Sequence, residues 1–338
     1  MRIAIIGGTG HYNYLMDALV RRDMQGISDH VAAYAPGTRG EDLSALETRF
    51  AQHDLAPKRW DDWRAMLDRV KPDLVCVNPW MCDIAPVAAN ALDRGHAVFA
   101  EKPLAVDWEQ WDLLRHSVRK NAKLCAMFGI RGNPAFQAAK AAADQLGDIR
   151  LAHGQKSYKM GERGPVYQKR AYYGGLLPWV GIHAMDWIYW TTGKRFLTAH
   201  ALHSRSGNRG NGELETTAAA LFEMEDEVIA TVNADFLRPA AAQRHDDDQL
   251  RLTGTRAALF VRHGEAYLEC TDVPIQKLSL SEPRSICADF MAQLEGGPSC
   301  GLTAWDALHV TAAALAACEA ADSHTAVAVP TRGDSQNS

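Results

Sequence analysis

A Glu-Lys-Pro triplet, Glu101-Lys102-Pro103, follows directly on the apolar run HAVFA at 96–100. A lysine at the end of a buried strand can take and return a proton. Desolvation and a nearby cationic ring would pull its pKa toward neutrality. A solvated turn of opposite charges is the other reading of the same residues. A second chemical signature lies near the start, in IIGGTGHYN at 5–13. Gly8, Thr9, Gly10, His11, Tyr12 and Asn13 spell G-x-G-x-x-N, two of the three glycines of a dinucleotide-binding turn. In that frame Gly8 allows the tight turn and Gly10 lets backbone approach a pyrophosphate. The helix start that follows offers N–H groups to an anion. Asn13 takes the third glycine's place, so the helix packs more loosely or enters at a shifted point. A plain glycine-rich strand-to-helix turn is the alternative.

An acidic residue ending the second strand would bind a ribose 2′-hydroxyl. That strand runs out in YAPGTRG at 34–40, where Ala35 fills the acidic place and Thr38 and Arg39 follow. No carboxylate stands ready. A hydroxyl and a guanidinium suit a 2′-phosphate, which favours NADP over NAD. Arg39 reads equally as a solvated loop charge.

The elements that must position these residues can be read from periodicity. Over the first ~125 residues, short apolar runs alternate with amphipathic stretches, the pattern of βαβ units and a parallel sheet. The runs are RIAIIG, HVAAYA, DLVCVN, HAVFA and KLCAMFG. In an open parallel sheet, ligands sit beyond the carboxyl ends of the strands, where Lys102 falls. After about 130 the rhythm changes to longer alternating strands. VIATVNADF puts Val228, Ala230, Val232, Ala234 and Phe236 on one face. EMEDE joins it as a hairpin to TTAAALF, and LRLTGTRAALFV is a further strand–turn–strand unit. Leu302, Trp305, Leu308, Ala312 and Leu315 keep helical spacing, which predicts a packed helix over 302–321. The expected organisation is an α/β chain with a doubly wound Rossmann domain at 1–128 and a mostly antiparallel α/β domain at 129–330. The terminal helix could pack back on the first domain, and 331–338 reads as a disordered tail.

With 338 residues, two domains follow from a prior of about 150 residues each. The net charge is −5 and the pI about 6.2, with no Lys/Arg run, which argues against nucleic acid or an anionic membrane as partner. Seven cysteines stand singly with no CxxC pair, against a disulfide framework or a zinc cage. MRIAIIGG opens as a strand, with no charged leader or cleavage site, so a cytoplasmic location is expected. No metal is expected: RHDDDQ at 244–249 reads as a solvated loop.

The segment DLVCVNPWMCDIAPVAANALDRGHAVFAEKPLA resembles the Gfo/Idh/MocA family of NAD(P)-dependent oxidoreductases. GIRGNPAF resembles the family's R-x-x-P segment through Arg131 and Pro134, and LGDIR and LRLTGTRAALFV resemble stretches of its second domain. The resemblance implies a Rossmann domain joined to an open-sheet domain often used for homo-oligomerisation. It implies a catalytic Lys102 and a cofactor site drawing on Asn78, Pro79, Trp80, Glu101, Lys102 and Arg131 besides the glycine turn. In YYGGLLPWVGIHAMDWIYW at 172–190 it aligns His183 with the family's catalytic histidine and Asp186 with the helix aspartate that follows. On residue type alone, a histidine on so apolar a helix reads as core. Two departures stand out. Trp179 occupies the family's first acidic position, where it could stack on a ring or block a polyol site. Asp83 replaces a histidine after NPW. Tyr158 and Trp179, with Lys102 and His183, are the candidate substrate contacts. Lys156, Arg163, Tyr167 and Lys169 read as exposed charges and rings before the His183 helix. The resemblance thus implies hydride transfer between nicotinamide and a carbinol carbon of a sugar, polyol or related small molecule. Two alternatives remain: a dinucleotide-binding sensor without catalysis, and an NAD-dependent glycoside hydrolase.

Overall fold

The computed structural model describes residues 1–331, so the tail at 331–338 lies, apart from Thr331, outside the described residues. The chain divides into two compact units. One is Met1–Gly129 with Ser285–Leu308; the other is Ile130–Arg284 with the described residues from His309 onward. Residues 285–308, which include the start of the helix expected over 302–321, belong to the first unit.

The first unit is built on β1 (Arg2–Ile6), α1 (Asn13–Asp23), β2 (His30–Ala35), α2 (Ser44–Gln52), β3 (Lys58–Arg59), α3 (Trp63–Val70), β4 (Leu74–Val77), α4 (Met81–Asp93), β5 (Ala97–Ala100), α5 (Trp108–Lys120) and β6 (Leu124–Ala126). Its six strands are all parallel, in the order β3-β2-β1-β4-β5-β6. This is the doubly wound arrangement, with its crossover point between β1 and β4. β4 and β5 are buried at every position, which is why they read as unbroken apolar runs. Two helices start where the sequence supplies an acceptor for a first-turn amide: the Asp62 side chain takes Arg64 N before α3, and Asp107 takes Gln110 N before α5.

The second unit contains α6 (Pro134–Ala142), β7 (Ile149–Tyr158), α7 (Arg170–Tyr173), α8 (Ile182–Thr192), β8 (Phe196–Ser204), β9 (Thr217–Met224), β10 (Ile229–Asp235), β11 (Asp246–Gly254), β12 (Ala257–Arg262), β13 (Glu265–Cys270) and β14 (Val273–Lys277). After α9 (Ile286–Leu294) in the first unit come α10 (Ala304–Ser323) and β15 (Val327–Ala328). Nine strands form one sheet in the order β14-β13-β12-β11-β7-β10-β9-β8-β15, antiparallel except for the β7–β10 pair. Alternate residues of β9 and β10 are buried, and the residues between them are half-buried or exposed. One sheet face is therefore packed. The packing is close enough that a β-carbon on Gly154 would come within 2.9 Å of the Ala184 side chain on α8.

Residues 244–249 depart from the expectation. Asp246 onward is not a solvated loop but β11, a central strand. Aspartate is a poor strand former. Here the register places Asp248 directly opposite Lys156 on β7, and the cross-strand ion pair compensates. Among the described residues no helix is long and apolar enough to cross a membrane, and no three His, Cys, Asp or Glu side chains are grouped to hold a metal.

Candidate functional site

In the first unit the glycine turn follows β1. The conformational demand falls on Gly7 and Gly10, at φ 85° and 77°, rather than on Gly8. A β-carbon on Gly7 would lie 2.3 Å from the Asn78 carbonyl, and one on Gly10 would lie 2.0 Å from Glu101 Oε2. Gly8 instead admits Leu43, which a β-carbon there would meet at 3.1 Å. The turn is tied to the end of β4: Thr9 N donates to Asn78 O at 2.7 Å, and Asn78 Nδ2 donates to Thr9 O at 3.0 Å. α1 begins at Asn13 itself, so the missing third glycine is met by a late helix start. Among the described residues, Asn13 Oδ1 is buried with no hydrogen-bond partner.

The strand-end triplet is buried, not a solvated turn. Glu101 is 0% and Lys102 1% exposed. The Glu101 carboxylate accepts from the His11 and Lys102 amides and lies against the His11 ring, with Nδ1 at 2.9 Å from Oε2. Burial opposes its charge, but His11 and Lys102 more than offset this and hold the carboxyl below its ordinary range. The His11 ring stacks on Tyr14 with centroids 5.2 Å apart, while Tyr12 is buried. Gly10, His11, Glu101 and Lys102 therefore form one assembly joining the first βα turn to the end of β5.

The segment after β2 corrects one premise: a carboxylate does stand at the glycine turn. Glu41, six positions beyond Ala35, reaches back to the Gly8 amide and the Thr9 hydroxyl, each at 2.9 Å. An acidic residue shortly after a Gly-containing loop was the available signal, but only the closed loop shows where it goes. The Thr38 hydroxyl is engaged, donating to Asp83 Oδ2 at 2.7 Å and accepting from Trp80 N at 3.1 Å. Pro79 is buried, Trp80 half-buried and Arg39 exposed.

In the second unit, Trp179 and His183 lie on a buried stretch: Leu177–Gly181 is π-helical and runs into α8. His183 is 1% exposed, and its ring lies over Trp187 with centroids 6.5 Å apart. Trp179 packs against Tyr167 at 6.0 Å. Arg131 binds Asp186, through Nε at 3.0 Å and Nη2 at 2.6 Å, with both residues buried. Lys156 also departs from expectation. It is 1% exposed, with Nζ 2.6 Å from Asp248 and 3.5 Å from Asp246, and it sits over the rings of Tyr158 and Trp187. Burial pushes the Asp248 carboxyl up to about 6 despite the lysine. Arg163 lies over Phe236 at 4.1 Å rather than in solvent, whereas Lys169 is exposed.

The doubly wound sheet and its glycine turn are those of the NAD-binding Rossmann oxidoreductases. Residues 1–128 match the model for the oxidoreductase family with an NAD-binding Rossmann fold, and 136–260 match the GFO/IDH/MocA C-terminal domain. A Thermotoga maritima protein assigned as an oxidoreductase is 38% identical over 97% of this chain and 100% of its own, with a TM-score of 0.92. The chain belongs to the Gfo/Idh/MocA oxidoreductase family. An Erwinia carotovora atroseptica protein, also assigned as an oxidoreductase, is 19% identical (TM-score 0.82; 95% and 98% of the two chains). A levoglucosan dehydrogenase complexed with NADH and L-sorbose is 17% identical (TM-score 0.84; 99% and 100%). These last two show a shared fold. No curated protein matches the sequence.

Proposed function

We propose that this protein is an NAD(P)-dependent dehydrogenase or reductase acting on a carbinol carbon of a sugar, polyol or related small molecule. Lys102 is the main proton donor or acceptor and His183 assists. The observation that carries the reading is the buried Lys102 at the carboxyl end of β5, joined through Glu101 to the glycine turn. The residues fit a dinucleotide: the side-chain-free surfaces of Gly7 and Gly10 hold the turn closed, and the Asn13 Oδ1 acceptor suits a hydroxyl donor of the dinucleotide, not its phosphates. Gly8, Thr9, Gly10, His11 and Tyr12 would hold the phosphates, Asn13 a ribose hydroxyl, and Asn78, Pro79 and Trp80 would border it. A bound nicotinamide would supply the hydride acceptor or donor. In the oxidative direction Lys102 Nζ takes the hydroxyl proton as the carbinol becomes a carbonyl; in the reverse direction it returns that proton. Arg131 acts through Asp186, fixing the helix that carries His183.

The test is Lys102→Ala, assayed on a panel of sugars and polyols alongside NADH and NADPH titration. Turnover should fall by about 10²–10⁴-fold with dinucleotide binding retained. Full turnover in the variant would sink the mechanism. Trp179 in the family's acidic position favours one second reading, a sensor, which predicts binding without turnover on any panel member. We also infer that a second copy of this chain covers the open sheet face, where Leu202, Leu221 and Ile229 are 66%, 44% and 51% exposed. Light scattering giving a monomer mass would remove that inference.

A further inference from the structure

Arg163, in the second unit, is a half-buried guanidinium that no carboxylate neutralises among the described residues. Nη2 donates to the Lys159 carbonyl at 3.0 Å, and Nε is buried with no hydrogen-bond partner among those residues. Burial holds its pKa below the ordinary arginine range, and the groups opposing this are two phenols, Tyr167 and Tyr158. Lys159, also half-buried, is met by a backbone carbonyl, that of Ala242. Partial burial and then Arg163 keep the His245 imidazole below its usual range; Asp246 opposes them, and Lys156 and Lys159 add to the effect. Lys156 has carboxylates of its own, Asp248 and Asp246. The excess positive charge is therefore that of Arg163 and Lys159. A guanidinium drawn partly out of water without an anion is a cost that a bound anion would offset.

This charge lies close to the helix that carries His183. Arg163 Cζ is 5.4 Å from the centre of the Tyr167 ring, and Tyr167 packs on Trp179 at 6.0 Å, four residues before His183. On its other side Arg163 lies over Phe236 at 4.1 Å, and Phe236 stacks on Tyr158 at 6.2 Å. The loop that carries it has room: a β-carbon on Gly161 or Gly164 would meet nothing within 4 Å. We propose that Arg163 selects substrates whose sugar or polyol carries an anionic group, a carboxylate or a phosphate. The inference rests on the oxidoreductase reading above and narrows its substrate class. A guanidinium offers a carboxylate or phosphate paired N–H donors in a fixed plane, which an ammonium does not. Trp179 brings an aromatic face and no negative charge to repel such a molecule.

The experiment is isothermal titration calorimetry of the full chain, with and without NADH, at low and high salt. The ligands are D-glucuronate against uncharged D-glucuronamide, D-glucose 6-phosphate against D-glucose, and the galactose counterparts of each pair. Wild type should bind the charged member of at least one pair about tenfold or more tightly, a gap that narrows as salt screens the attraction. Whether the carboxylate or the phosphate pairs show the larger gap identifies the group. Arg163→Gln should bring the members of that pair within about threefold, and Arg163→Lys should keep only part of the gap. Lys169→Gln, which removes an exposed charge from the same segment, should leave it unchanged. A wild type without preference in any pair overturns the proposal, as does a full gap in an Arg163→Gln protein that melts like wild type. If Arg163→Gln does not fold, the wild-type salt series decides: a gap indifferent to salt excludes recognition by charge. Turnover of uncharged sugars with no anion preference removes this inference and leaves the oxidoreductase reading. Anion preference with no NAD(H)- or NADP(H)-linked turnover of any ligand does the reverse, leaving Arg163 as the anion site of a binding protein.

Discussion

Glu101 occupies the space that any side chain at position 10 would need. Its Oε2 lies 2.0 Å from where a Gly10 β-carbon would be, and the same carboxylate accepts from the amides of His11 and Lys102. The glycine turn and the strand-end triplet, far apart in sequence, are thus one mechanical part.

Gly10→Ala should therefore disturb both ends of that part. The substitution combines a positive φ with a contact that forces Glu101 to move. We expect a loss of more than about 2 kcal/mol in urea unfolding. NADH affinity should fall together with stability, and near-wild-type values for both would show that Glu101 is freely displaced.

Glu101 also sets an acid sensitivity. Its carboxyl titrates below the ordinary 4.5 in the folded protein, so its contribution is complete above that value and lost as pH falls through the depressed one. Glu101→Gln removes the contribution. The stability gap between wild type and Glu101→Gln should be widest near neutrality and shrink below about pH 4.5, as measured by chemical unfolding across that range. A constant gap would mean that the carboxylate charge is not what holds the turn.

Lys156 is the partner that makes Asp248 tolerable in the second unit. Lys156→Met should cost up to about 3 kcal/mol, because it removes the buried cation 2.6 Å from the half-buried Asp248 carboxylate. The sign of the pH effect follows from Asp248, whose carboxyl is raised to about 6 even with the lysine present. A raised carboxyl contributes most below its unfolded value of 3.8 and loses that contribution as pH rises through about 6. The Lys156→Met defect should accordingly be larger at alkaline than at mildly acidic pH, and Asp248→Asn in the same chain should recover part of it.

Arg131 and Asp186 should behave as a pair. Arg131→Lys cannot reproduce the two-nitrogen contact, so it should lose most of what Arg131→Leu loses. Double-mutant cycles with Asp186→Asn should return a coupling of about 1–3 kcal/mol. Additive losses would show that the two side chains act separately.

The sequence by itself determined the alternation of strands and helices, the burial of the strand runs and the position of Lys102 at the end of β5. Each of these is local: apolar spacing and a helix-starting residue act within a few positions. Only the tertiary structure decided that Gly7 rather than Gly8 takes the strained place in the turn, that Glu41 supplies the carboxylate Ala35 does not, and that Arg131 answers Asp186. Lys156 and Asp248 are 92 positions apart, and they meet because β7 and β11 share a register. Such pairings depend on which distant segments the sheet brings side by side, and a one-residue slip would turn every side chain to the other face.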